Sequence, residues 1–315
     1  MIALVRKIPW LVGTLFAVSF LTYTLISLLP GDPALQILGV EGASAEAILE
    51  IRSELGLDRP LLVRYFDWLG NTVTGDLGRS YITRQPVLDA ILERLPVTAQ
   101  LGLMAMLIAL IAALPLAMVS AYHVGGWIDR GVTSFTFGLL AVPGFMMAIL
   151  LILVFAVTLG WLPATGWVPF RVDPWRNISS ALLPAIAIAT AELALYTRLL
   201  RSDLISTLQQ DFIVLARAKG LATSRILFRH ALRPASFSLL TVVGLQLGSV
   251  ISGAIIIEEI FALPGVGRLL IQSIYQRDLM MVQGIVLFVA SAYVVANFLI
   301  DVSYSYLDPR LRHVK

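Results

Sequence analysis

The chain has 315 residues, of which 58% are hydrophobic and only 14% charged, with a mean hydropathy of +0.86 and a formal net charge of +3. Soluble globular domains hold about 45–50% apolar and about 25% charged residues, so the composition excludes a soluble fold and indicates a single polytopic membrane domain. There is no cysteine, which excludes disulfide frameworks, thiol catalysis and cysteine-based metal sites.

Arg6 and Lys7 precede an apolar run from Ile8 to Leu29. The run is longer than the core of about 7–15 residues found in a signal peptide and has no small-x-small cleavage site, so it reads as an uncleaved first span. About 20 apolar residues cross the roughly 30 Å of hydrocarbon in a bilayer. Six segments qualify: 9–29, 98–122, 132–159, 181–200, 238–257 and 282–304. Pro143 and Pro184 mark candidate kinks.

Positive charge sets the orientation. With the N-terminus inside, the cytoplasmic loops and ends hold Arg6, Lys7, Arg130, Arg198, Arg201, Arg217, Lys219, Arg225, Arg229, Arg233, Arg310, Arg312 and Lys315. The two short outer loops hold only Arg171, Arg176, Arg268 and Arg277. Both termini are therefore expected in the cytoplasm. The basic residues cluster in one short loop and form no nucleic-acid face, so no nucleic-acid partner is expected.

The long outer segment is patterned. Residues 45–55 have helical spacing, with Ser44 as N-cap and Gly56 as stop. Residues 61–69 form a second amphipathic stretch opened by Pro60, whose aromatics are suited to a membrane interface. Two compatible readings stand for them: a small packed cap over the outer mouth, and a contact surface for a substrate-binding protein.

Residues 211–234 form a basic, helix-prone loop between apolar runs. Asp211 is suited to cap a short helix. Val214, Leu215, Ala218 and Leu221 fall broadly on one side, with Arg217 and Lys219 on the flanks. Gly220 can end the helix in a left-handed conformation, Thr223 or Ser224 can cap the next helix, and Pro234 marks a break before the fifth span. An exposed apolar ridge of this kind wants a partner. The alternative on physics alone is an amphipathic helix lying on the inner leaflet, with its cations on anionic headgroups.

The run Ala216-Arg217-Ala218-Lys219-Gly220-Leu221, followed by Arg229-His230-Ala231-Leu232-Arg233, resembles the cytoplasmic coupling loop of binding-protein-dependent ABC importer permeases. The nearest branch serves dipeptides, oligopeptides and nickel. Further resemblance lies in Gly31-Asp32-Pro33, Gly75-Asp76-Leu77-Gly78-Arg79-Ser80, Glu93-Arg94-Leu95-Pro96-Val97-Thr98, the stretch from Glu258 to Arg268, Arg277-Asp278, and Leu307-Asp308-Pro309-Arg310. The broad family pattern has Glu-Ala-Ala where this chain has Val214, Leu215 and Ala216, a more apolar face on the same helix.

The resemblance implies an all-α, six-span importer domain in the bacterial inner membrane. It divides into a peripheral first helix (1–30), an extracytoplasmic segment (31–97), a five-helix core (98–305) with its coupling loop at 201–236, and a cytoplasmic tail (306–315). It further implies a homologous second permease, two ABC ATPase subunits, an extracytoplasmic solute-binding protein, peptide cargo and no cofactor. Phe212, Leu215, Ala216, Arg217, Ala218, Lys219, Gly220 and Leu221 are the expected ATPase-coupling residues. Lys7, Lys219 and Lys315 are the lysines and none follows a glycine, so the chain has no P-loop and the ATP chemistry belongs to a partner.

Polar residues within apolar spans call for a role. Glu192, Gln246, Ser249 and Ser252 are the expected pathway residues, with an interhelical hydrogen bond the alternative for Glu192, while Asn297 and Asp301 share a helix face near an inner end, where a structural hydrogen bond or an Arg pairing suits Asp301. A proton-coupled secondary transporter would also explain the carboxylates without an ATPase. It leaves the 216–221 loop unexplained, and no inverted repeat of the kind common in such carriers is visible.

Overall fold

The computed structural model describes residues 8–28, 34, 38, 44–54 and 56–307, with side chains for all of these except 8, 26, 54, 247–253, 301 and 303–307. Gly31-Asp32-Pro33 and residues 308–312 lie outside the described residues. Among the described residues the regular elements are helices, joined by one isolated antiparallel bridge between Arg79 and Pro86. In order they are α1 (Ile8–Ser27), α2 (Ala45–Glu54), α3 (Leu61–Val73), α4 (Val87–Tyr122), α5 (Trp127–Ala141), α6 (Gly144–Leu151), α7 (Pro174–Leu208), α8 (Asp211–Ala218), α9 (Leu232–Ile260), α10 (Val266–Tyr275) and α11 (Leu279–Leu307). Wider π-type turns occupy Ile152–Thr158 and Ile226–Ala231.

Among the described residues three helices are long and apolar enough to cross a membrane, Val87–Tyr122, Pro174–Leu208 and Leu279–Ile300. A fourth counts if α5 and the helix that continues from Gly144 to Thr158 form one bent crossing. At 1.5 Å per residue α4 and α7 each run about 50 Å, well beyond the hydrocarbon thickness. The expected segments 98–122 and 181–200 are therefore parts of longer helices.

The two prolines behave differently. At Pro143 the chain turns by 99° between α5 and the helix after it. Proline has no N–H to donate and drives the preceding residue out of the helical region, and Val142 sits at φ −94°, ψ 119°. The expected kink is thus a full break. Pro184, by contrast, lies buried inside α7, which continues past it unbroken.

The helices gather into two compact units, one of residues 1–98 and 264–315, the other of residues 99–263. In the first, α1 packs on α3 and α11, and α10 on α11. Its centre is Tyr65, fully buried, with edge contacts to Phe20 and Tyr23 at 5.2 and 5.5 Å and its hydroxyl 2.9 Å from Ser19 Oγ. Tyr65 and Trp68 are thus interior residues, a correction to their expected interfacial place, while Phe66 stays exposed. Such aromatic clusters combine large apolar burial with edge-to-face electrostatics.

The local readings for α2 hold. Ser44 Oγ accepts the Ala47 N–H at 3.1 Å, as an N-cap should. Gly56 has φ +63°, the Gly56 N–H reaches Ser53 C=O at 3.0 Å, and the Leu57 N–H reaches Arg52 C=O at 2.8 Å. That pair of bonds is a Schellman stop.

The 75–80 motif makes a tight loop. Gly75 and Gly78 have φ +95° and +87°, and Asp76 Oδ1 accepts the Gly78 N–H at 2.9 Å. Buried Asp278 then holds the loop to α11: it accepts the Ser80 hydroxyl, the Tyr81 N–H at 3.1 Å and, as N-cap, the Met281 N–H at 3.3 Å. Burial pushes the Tyr81 phenol above its usual range. Thr98 Oγ1 accepts the Val266 N–H at the start of α10, at 2.9 Å.

In the second unit α7 is the hub, packed by α5, α6 and α9. Ala105, Ala109, Ala113, Ala117 and Ala121 recur every fourth residue along α4 and share one core cluster with Ala189, Tyr196, Leu200 and Leu204 of α7. Small residues at that spacing let helix backbones approach closely, the usual basis of helix association in lipid.

Candidate functional site

Only Gln209 and Gln210 separate α7 from α8, so the short helix is carried directly on the end of a long one. Gln210 is the N-cap and Asp211 the first helical residue, a correction to the expected cap. Asp211 still places a carboxylate in the first turn, where the helix dipole favours it.

The far end follows the glycine logic closely. Gly220 has φ +73°, its N–H donates to Arg217 C=O at 2.9 Å, and the Leu221 N–H donates to Ala216 C=O at 3.3 Å. These are the two bonds of a Schellman stop, and the accompanying apolar contact is supplied by Leu221 turning back to the core cluster that contains Ala216.

The helix is two-faced. Ile213 and Ala216 are buried in the cluster formed with Ala117, Met118 and Ala121 of α4 and Leu204 of α7. Val214 and Leu215 are each 56% exposed, and Phe212 46%. Ala218, Arg217 and Lys219 are exposed as well. The outward ridge is therefore Phe212, Val214, Leu215 and Ala218. Ala216, expected among the coupling residues, is buried on the inward face, beside Ile213. Ile213, the inward anchor, was missed because its spacing marks it as merely apolar.

Beside the stop lies a recess of about 540 Å³ lined by Tyr122, Leu208, Arg217, Leu221, Thr223, Ile226 and Leu227. Thr223 opens the next helical turn after Ala222, and neither it nor Ser224 caps that turn. Pro234 lies inside α9 and is no break. The missing proline N–H falls where the chain has just widened over Ile226–Ala231, so the helix passes from the wide turn into α9 without interruption.

Of the expected pathway residues, the side chains of Glu192 and Gln246 are among those described. Glu192 is buried in α7, and its Oε2 has no hydrogen-bond partner; the Tyr196 hydroxyl one turn later also has none. Gln246 is half-buried on α9. The side chains of Ser249, Ser252 and Asp301 lie outside the described residues, and Asn297 is half-buried with its Oδ1 unpartnered.

The model of the binding-protein-dependent transport system inner membrane component family matches residues 113–313, and that of its N-terminal part matches residues 1–102. The chain belongs to this family. A putative peptide transport system permease protein of Brucella abortus is 43% identical over 310 residues, covering 98% of each chain. A di/tripeptide transport system permease protein of Pseudomonas aeruginosa is 36% identical and a glutathione transport system permease protein of Escherichia coli strain K12 34% identical, each again over 98% of both chains. The chain is accordingly a multi-pass inner-membrane permease component of an ABC importer. In that setting α8 is a two-faced helix at the end of the hub helix, buried on one side and exposed on the other.

Proposed function

We propose that this permease component forms half of the translocation pathway for peptides and is driven through α8 by separate ATPase subunits. The observation that carries the cargo assignment is the end-to-end identity with permeases named for peptides, di/tripeptides and glutathione. Support for α8 as the driven element is its free apolar ridge, held in register by Ile213 and Ala216. Support for six spans is the six apolar segments of the sequence, and support for cytoplasmic termini is the arginine and lysine bias. The pathway runs in 98–305, lined by Glu192, Gln246, Ser249 and Ser252, with a second permease, two ATPases and a binding protein completing the importer.

The test is uptake of a labelled di- or tripeptide by the assembled importer in proteoliposomes. Leu215→Asp puts a charge on the free ridge without touching the core. Import is expected to fall at least about tenfold, within the range of ordinary coupling energies, while the permease still inserts and folds. Uptake at the unaltered rate in this variant would remove α8 from the drive.

A further inference from the structure

The inner ends of three helices of the second unit meet on one carboxylate that the coupling loop does not contain. Asp129, in the first turn of α5, is 5% exposed. Its Oδ1 accepts the Ser120 hydroxyl of α4 at 2.5 Å and Arg201 Nε of α7 at 2.6 Å. Its Oδ2 accepts the Gly125 N–H of the α4–α5 loop at 2.8 Å and Arg201 Nη2 at 2.7 Å. Arg201 Nε also reaches Ser120 Oγ at 3.0 Å. The guanidinium is thus forked onto the carboxylate, the geometry that fixes direction as well as distance. One turn earlier on α7, the Arg198 guanidinium lies 4.6 Å from the centre of the Phe137 ring of α5. Two successive cations of α7 therefore grip α5.

Their place in the chain matters. Arg201 lies two turns before the end of α7, and α8 begins after two linking residues. The Ile213 and Ala216 anchor joins α8 to the ends of α4 and α7 through Ala117, Ala121 and Leu204, while α5 supplies nothing to that cluster. The ion pair and the Arg198–Phe137 contact supply the polar and cationic grip on α5. Past Pro143 the chain after α5 turns by 99° and α6 packs on both α7 and α9. α5 and α6 already pack on α7, and the forked pair adds a fixed direction to that non-directional packing at the α5 end.

We propose that Asp129 and Arg201 are positioning residues that lock the inner ends of α4, α5 and α7 into one block, so that movement imposed on α8 carries α5 with it. The proposal rests on the reading of α8 as the element driven by the ATPase. A buried pair of this kind adds little net stability compared with apolar residues of the same shape. Its forked geometry instead defines a single register between helices.

The test uses the complete importer in proteoliposomes and measures peptide imported per ATP hydrolysed. Asp129→Asn and Arg201→Gln are each expected to lower that ratio about five- to tenfold, with the double variant no worse than either single one. Arg201→Lys keeps the charge but loses the fork, and is expected to lower the ratio in the same direction with the complex intact. Ser120→Ala removes one contact and gives the smallest effect. An unchanged ratio in Arg201→Lys, or additive losses in the double variant, overturns the proposal. So does a parallel fall of import, hydrolysis and recovered complex across Asp129→Asn, Arg201→Gln and Arg201→Lys, which makes the pair a folding staple only. Leu215→Asp, run alongside, separates the two readings: if it leaves import unchanged, the assignment of α8 has failed, whereas if it uncouples and the pair variants do not, only the lock has failed.

Discussion

Two buried aspartates do similar geometric work in the two units, yet with different partners. Asp278 gathers the Ser80 hydroxyl and the Tyr81 and Met281 N–H groups, tying a loop 198 residues away in sequence to the start of α11. Asp129 gathers a hydroxyl and one N–H in the same way, but completes its shell with a forked guanidinium from α7. Asp278 is satisfied by neutral donors on a loop and its own helix, and so behaves as a cap. Asp129 is satisfied by a charge carried on a different helix, and so reports the position of that helix.

The largest expected effect breaks the first of these knots. Asp278→Ala leaves one hydroxyl and two backbone N–H groups buried without their acceptor and removes the N-cap of α11. Unsatisfied buried donors cost about 1–3 kcal/mol each and a lost cap about 1 kcal/mol. A loss of at least about 3 kcal/mol is expected, seen as a lower unfolding temperature and a smaller folded fraction in detergent. Peptide imported per ATP by the surviving complexes should stay unchanged. A changed ratio at normal stability would place Asp278 with Asp129 and dissolve the contrast.

The next comparison sets the two faces of α8 against each other. Ala216→Asp puts a carboxylate into the cluster of Ile213, Met118 and Leu204, where an unpaired charge costs several kcal/mol. Leu215→Asp, on the exposed face, should cost within about 0.5 kcal/mol. Thermal unfolding of the two purified variants should therefore separate them clearly, even though both are expected to lower coupled uptake. Equal unfolding temperatures would mean that Ala216 is not anchored as found.

Much of this was legible because it is local. Ser44, Gly56 and Gly220 act through bonds to residues within five positions, so the residue type announces the geometry. Motif order likewise carried the family. The orientation of α8 was only half legible: periodicity marks Val214, Leu215 and Ala218 as one face, but which face meets the protein depends on Leu204 and Ala117, and no local rule supplies them. The aspartate knots were not legible at all. Ser80 and Asp278, or Asp129 and Arg201, are brought together by tertiary packing across 198 and 72 residues. Arg201 reads from sequence as one more positive-inside charge, while its real partner is a carboxylate in the first turn of α5. At Pro143 the residue type signals a disturbance, but neither the 99° turn nor the packing of α6 on α7 and α9 can be read from it.

The smallest effects come from the two Schellman stops, which share a backbone conformation and differ in what they support. Gly56 and Gly220 have φ +63° and +73°, and an added Cβ at either would meet nothing within 4 Å. Alanine at either site therefore costs only the strain of a left-handed residue, about 1–2 kcal/mol, with no clash to add. Equal stability losses are expected for Gly56→Ala and Gly220→Ala. Their transport should differ. Relaxing the stop after α2 disturbs only the end of a short helix in the first unit, and uptake should follow the amount of folded protein. Relaxing the stop after α8 frees Leu221 from the cluster that also holds Ala216, which loosens the free ridge relative to its anchors. Uptake normalised to folded protein should then fall for Gly220→Ala and not for Gly56→Ala. If the two variants transport alike, the register of α8 does not matter to the drive, and its glycine is needed only to end a helix.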